Sequence, residues 1–343
     1  MCYATYVTLF ANKNNKCYKI RKYLIKQGKR FGEYMIKTDK TKKFIIDTDI
    51  GDDVDDSFAV SLAVKAKADL IGITTVYKNT VKRATLLKEY LKILRVNIPV
   101  YAGYKETISD FTPDWHSDIL EAVEENELIK KAFDPESAVD FLVSSAKKYG
   151  KDLTIICLGP LTNVAKAFIS DEAAMKSVKF VMMGGAYYMQ YIDWNVFCDV
   201  AAAKIVFDKA ENLTAIGADV THLLKVPEEV LQKFLSKSNA LTEKLSEDIT
   251  LWRGKDTDKK VVLHDPLAVY YALTGDLVKT ENIKVNVVTG GYFYGMTENL
   301  SRSKSAEYSD DFKNKLPKSS VTVAESLNPE KFIKTFFEIL SED

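Results

Sequence analysis

Between residues 47 and 56 the chain reads Asp47-Thr48-Asp49-Ile50-Gly51-Asp52-Asp53-Val54-Asp55-Asp56, six carboxylates in ten positions. Apolar residues flank the run on both sides, Phe44-Ile45-Ile46 before it and residues 58–64 after it, so the charges are drawn toward the interior, where they repel. Asp47 and Asp49, two apart on an extended segment, are expected to share a face. Asp55 and Asp56 open the following helix, where backbone N–H groups and the macrodipole favour negative charge. Those dipoles offset part of the repulsion. A divalent cation offsets the rest, and a ligand set made only of oxygen selects calcium or magnesium over zinc. A solvated loop with one Asp as a helix cap explains one or two of the six, not a cluster wedged between apolar segments. The position of Gly51 and the lack of a closing Glu exclude an EF-hand loop.

The elements that must position this cluster follow from periodicity. Residues 44–46 read as a buried strand and 58–64 as part of a helix. Further strands are expected at 70–76, 99–101, 153–158, 178–183 and 213–216, with helices at 85–94, 138–148, 163–168 and 201–207 between them. Such alternation predicts βαβ units. The fold class is therefore α/β, an open and mainly parallel sheet with helices on both faces, Rossmann-like. Residues 283–287 alternate with period two, and Gly290-Gly291 punctuates a hairpin before a strand at 292–296, a small β appendage near the C-terminus. In open parallel sheets ligands bind beyond the carboxyl ends of the strands, so the chemistry is expected just after each one.

Composition narrows the function classes. Lys+Arg and Asp+Glu both number 48, and this balance gives no electrostatic footprint for nucleic acid. No stretch is long and apolar enough to span a membrane as a helix. The four cysteines, Cys2, Cys17, Cys157 and Cys198, fall in no metal-ligand spacing, which fits reduced thiols and a cytoplasmic protein. Residues 1–42 are expected to form a basic, poorly ordered extension, of which 1–34 are dispensable with a start at Met35. Residues 43–343 then form a single α/β domain.

Other segments carry chemistry in the same order as the strands. They are Ile73-Thr74-Thr75-Val76 followed by Asn79, Leu158-Gly159-Pro160-Leu161-Thr162-Asn163, Val181-Met182-Met183-Gly184-Gly185, and Asp193-Trp194-Asn195. Val220-Thr221-His222, His264-Asp265-Pro266-Leu267-Ala268-Val269 and Tyr294-Gly295-Met296-Thr297 complete the series. Together with the acidic run, this ordered set resembles the inosine–uridine-preferring nucleoside hydrolases over about residues 43–340. The resemblance implies calcium-dependent hydrolysis of the N-glycosidic bond of ribonucleosides. It implies a calcium ion held by Asp49, Asp56, the carbonyl of Leu158 and Asp265, with Asp55 as general base toward a metal-bound water. Asn79, Asp193, Asn195 and Asp265 would hold the ribose, with Met183 beside it, and His264 would protonate the departing base. Tyr187, Tyr188, Tyr191 and Trp194 are candidates for stacking on the base. A nucleoside substrate and a homodimer or homotetramer are implied, with neither nucleic acid nor membrane as partner.

The chain departs from the family pattern in several places. Its first motif carries two extra residues, so Asp53 or Asp55 can take the base role; Asp55 is preferred because Asp55-Asp56 directly precedes the apolar helix. Lys78 replaces the usual glycine, Asp193 the usual glutamate, and His116 is only a weak candidate for lining the site. Asp265 before Pro266 also reads as a helix N-cap. Other readings compete: an aspartyl phosphohydrolase with Asp47 as nucleophile, Asp49 as acid and magnesium; a non-catalytic ribose or nucleoside binder; and a hydrolase of a modified ribosyl compound.

Overall fold

In the computed structural model, residues 41–302 and 320–342 are described. Most of the expected basic extension, residues 1–40, lies outside them, as do Cys2, Cys17 and Met35. Six parallel strands run β1 (Lys43–Thr48), β2 (Leu70–Thr75), β3 (Val100–Ala102), β4 (Leu153–Cys157), β5 (Lys179–Met183) and β6 (Leu213–Ile216). Beyond them come β7 (Val278–Ile283), β8 (Val285–Val287), β9 (Thr297–Asn299) and β10 (Val321–Leu327). Eight form one sheet in the order β3-β2-β1-β4-β5-β6-β10-β7. Only β7 is antiparallel, against β10. The first six follow the doubly wound order 3-2-1-4-5-6, whose topological switch point falls between β1 and β4.

Side chains alternate along each strand and so build two cores. Phe44, Ile46, Ile156 and Val181 pack with the helices Asp55–Lys65, Thr80–Ile93, His264–Thr274 and Pro329–Leu340 on one face. Ile45, Ile155, Phe180 and Met182 pack with Pro135–Tyr149, Thr162–Ser170 and Val200–Lys209 on the other. These helices carry their own start signals. Asp134 accepts from the Glu136 N–H at 3.1 Å ahead of Pro135, and Asn328 accepts from the Lys331 N–H at 2.9 Å ahead of Pro329. The terminal helix then buries Phe332, Phe336 and Phe337, with Phe58 edge-on to Phe336 at 5.9 Å. Among the described residues no helix is long and apolar enough to cross a membrane.

The expected α/β class stands, including the β appendage, now seen as the β8–β9 hairpin. Its details differ. The second strand is Thr297–Asn299, because Gly291–Phe293 coils into a 3-10 turn and takes the residues expected to be extended. The helix expected to be capped by Asp265 starts at His264 instead. Asp265 is released from capping and turns its carboxylate toward the acidic cluster.

Candidate active site

Beyond the carboxyl ends of β1, β4 and β5 lies an open cavity of about 400 Å³. Its floor holds Asp49, Asp55, Asp56, Leu158, Met183, Asp193, Asn195, His264 and Asp265. Nine of the ten residues expected at the site therefore meet in one place, brought from five separate segments of chain. The switch point supplies the reason: β1 and β4 diverge there, and each loop after a strand turns into the gap.

Asp55 and Asp56 occupy the first turn of the helix after β1 and are almost fully buried. The Thr48 hydroxyl donates to Asp56, and the Asp265 backbone N–H donates to Asp55 Oδ2 at 2.9 Å. Carboxylate oxygens of Asp55, Asp56 and Asp265 lie within 4.8 Å of one another. Asp49 approaches from the end of β1, packed against Gly159: a Cβ there would stand 2.7 Å from Asp49 Oδ1. Burial and then neighbouring carboxylates push Asp49, Asp55 and Asp265 well above the ordinary carboxylate range. Burial raises Asp56 to about 7 against the opposing bond from Thr48. A cluster so penalised for its charge is chemically matched to a hard divalent cation, and every donor in it is oxygen.

Asn195 Nδ2 donates to the Leu158 carbonyl at 2.6 Å and to the Met183 carbonyl at 3.2 Å, fixing both strand ends beside the cluster. Asp193 caps the short helix Trp194–Cys198 by accepting from the Val196 N–H at 3.1 Å. Its burial raises its carboxyl to about 6. Thr221 pairs with His264 Nδ1 at 2.7 Å, which leaves Nε2 as the other ring nitrogen. Burial first, and His222 second, depress the His264 imidazole to about 4.

Much of the remaining wall is aromatic, and of it Trp115, Trp252 and Lys259 were not expected from the sequence. Trp115, Tyr191, Trp194, His222, Trp252, Lys259 and Asp53 complete the lining with Asp52 and Ala218. The His222 ring stands edge-on to His264 at 5.4 Å and to Tyr191 at 4.9 Å. Val220-Thr221-His222 was visible as a motif, but nothing in it singled out the imidazole. Trp252 and Lys259 sit in and after the helix Ala240–Arg253 and share no motif with the strand ends.

Five expectations need correction. Asn79 is exposed and lines a separate depression with Lys78, Lys105 and Thr112. Tyr77 buries its ring, donating its hydroxyl to the Pro113 carbonyl at 3.2 Å, and left-handed φ angles of 72° and 56° at Tyr77 and Lys78 turn the next residue outward. Asp47 does not share a face with Asp49, because the strand ends at Thr48. It is sealed under the sheet, accepting from Thr74 Oγ1 at 2.5 Å and Asn163 Nδ2 at 2.8 Å, which removes the phosphohydrolase nucleophile. Tyr187 buries its hydroxyl on the Gly184 carbonyl at 3.0 Å. Tyr188 points to Glu281 at 2.8 Å, so of the four aromatic candidates only Tyr191 and Trp194 reach the cavity. His116 is exposed, facing Asp118 and Glu121, while its neighbour Trp115 takes the wall position.

Comparison with known proteins identifies the family. A family model described as inosine-uridine preferring nucleoside hydrolase matches residues 44–334. A probable uridine nucleosidase 2 of Arabidopsis thaliana is 30% identical over 327 residues, which are 88% of this chain and 98% of that protein. The pyrimidine-specific ribonucleoside hydrolase RihB of Escherichia coli is 29% identical over 274 residues, 75% of this chain and 86% of the other. A purine-preferring ribonucleoside hydrolase from Gardnerella vaginalis has a similar structure, with a TM-score of 0.72 at 27% identity over 88% of this chain and 98% of that one. The chain belongs to the inosine-uridine preferring nucleoside hydrolase family, enzymes of the N-glycosidase class.

Proposed function

We propose that the protein hydrolyses the N-glycosidic bond of ribonucleosides to ribose and free base, with calcium held in the acidic cluster. The observation that carries this is the buried meeting of Asp55, Asp56 and Asp265 at the carboxyl end of β1, open to the aromatic cavity. Asp49, Asp56, Asp265 and the Leu158 carbonyl would hold the ion. When bound, it offsets the mutual repulsion of these groups and makes a water in the site more acidic.

Asp55 is the general base. Its Oδ2 is anchored by the Asp265 N–H, which aims the carboxylate into the cavity and favours its charged form. It takes the proton of the attacking water as the C1′–N bond breaks, and positive charge grows on the sugar as in other glycoside cleavage. The surrounding carboxylates stabilise that charge. Asp193 and Asp265 accept from ribose hydroxyls. Asn195 has its amide nitrogen held by two carbonyls and presents Oδ1 to the sugar. Met183 packs beside the ring. His264 stands at the base side as an uncharged hydrogen-bond donor through Nε2, with Thr221 donating to Nδ1.

A sugar-release assay on purine and pyrimidine ribonucleosides tests the proposal. Ribose is expected in calcium and absent in EDTA. Saturable nucleoside binding by calcium-loaded protein, with no ribose even at high enzyme concentration, would favour the non-catalytic binder. Cys157 and Cys198 are buried free thiols, which supports cytoplasmic work, and a homodimer or homotetramer is the assembly to look for by light scattering.

A further inference from the structure

Cleavage of an N-glycosidic bond has a second half that the acidic floor does not serve. As the C1′–N electron pair passes to the base, negative charge spreads over the ring nitrogens and any carbonyl oxygen. Among the described residues lining the cavity, Lys259 is the only lysine or arginine. It lines the cavity along with Trp115, Trp252 and His222, and comes from a loop outside the strand ends that supply the carboxylates.

The loop that carries it is braced. Arg253 forks onto Glu228 with bonds of 3.2 and 2.7 Å, and its Nε donates to the Lys259 carbonyl at 2.9 Å. The Lys259 N–H closes a turn onto the Asp256 carbonyl at 3.2 Å. The side chain folds back over Trp252, with Nζ 3.6 Å from the ring centroid. An indole face holds an ammonium without neutralising it, so the charge stays available to a ligand. Asp53, which also lines the cavity, supplies the opposing charge.

Resting on the hydrolase reading above, we infer that Lys259 is a second leaving-group residue besides His264, its ammonium held over Trp252 to hydrogen-bond the departing nucleobase. The water oxygen bonds to C1′ and its proton goes to Asp55. The C1′–N electron pair goes to the base, whose negative charge the ammonium stabilises. The base then takes a proton from solvent, and Asp55 returns its own to solvent. This assigns the charged part of the electrophilic work to a side chain that no strand-end motif contains.

The test compares two leaving groups in calcium-loaded enzyme. A nucleobase leaves poorly without an electrophile, whereas 4-nitrophenolate leaves readily. Lys259→Met is expected to lower kcat/KM on uridine and inosine by about 100-fold or more and on 4-nitrophenyl β-D-riboside by less than about 3-fold. Lys259→Arg, which keeps the charge, should recover most of the nucleoside activity. Equal losses on both substrate types, or no loss on nucleosides, would overturn the assignment while leaving the hydrolase reading intact. Wild-type enzyme inert toward every one of these substrates would overturn both.

Discussion

Arg83 is fully buried and its guanidinium pairs with Asp52, a member of the acidic run. The same side chain donates to the Asp49 carbonyl, to the Ile50 carbonyl at 3.1 Å and to the Tyr77 carbonyl at 2.8 Å. Asp52 serves the arginine, and the arginine ties the loop after β1 to the loop after β2. Removing one partner leaves a buried charge uncompensated. Arg83→Leu should cost about 3–5 kcal/mol in urea unfolding, and adding Asp52→Asn should recover part of that loss. Additive costs would show that the pair is not coupled.

Gly159 makes room for Asp49, since a Cβ would stand 2.7 Å from Oδ1 and 2.8 Å from Cγ. Gly159→Ala should displace that carboxylate and weaken calcium binding by about 10-fold or more in calorimetric titration. Unchanged affinity would remove Asp49 from the ligand set.

Asp47 predicts a pH dependence of stability. Burial raises its carboxyl from 3.8 to about 7 despite bonds from Thr74 and Asn163. Between those values the folded protein keeps a proton that the unfolded chain has lost. Its contribution is therefore complete below about pH 4 and is lost as pH rises through about 7. With calcium saturating the neighbouring cluster, Asp47→Asn should flatten the decline in unfolding free energy between about pH 4 and 7. Parallel profiles for the two proteins would contradict this.

Asp193 lines the cavity as a proposed acceptor for a sugar hydroxyl, and burial raises it to about 6. As pH falls through that value it gains a proton and loses acceptor capacity. KM should rise below about pH 6, and Asp193→Asn should raise KM at neutral pH and abolish that limb. A KM independent of both changes would take Asp193 out of the sugar site.

The sequence made the floor of the site legible because its residues follow strand ends, and a parallel sheet gathers strand ends. Asp55, Leu158, Met183, Asp193 and Asp265 received their expected roles from the family resemblance, whose motifs sit at those strand ends. Asn79 could not be placed in the same way, since its direction depends on the buried ring of Tyr77 and two left-handed residues. Arg83 lies on a helix rich in lysine, Thr-Val-Lys-Arg-Ala-Thr, and its burial comes from a loop 31 residues away. Trp252 and Lys259 reach the cavity through tertiary packing of a helix with no strand-end signal. β7, Val-Lys-Thr-Glu-Asn-Ile, is a polar edge strand whose pairing with β10 is nonlocal.

The central claim is that Asp55 deprotonates the attacking water beside a metal it does not itself retain. Ribose release from the best nucleoside should be measured under single-turnover conditions for wild type and Asp55→Asn, each first shown by calorimetry to bind calcium. The expected result is a rate about 10³-fold lower in the variant with calcium affinity largely kept. A variant that releases ribose at the wild-type rate would contradict the assignment of Asp55 as the base.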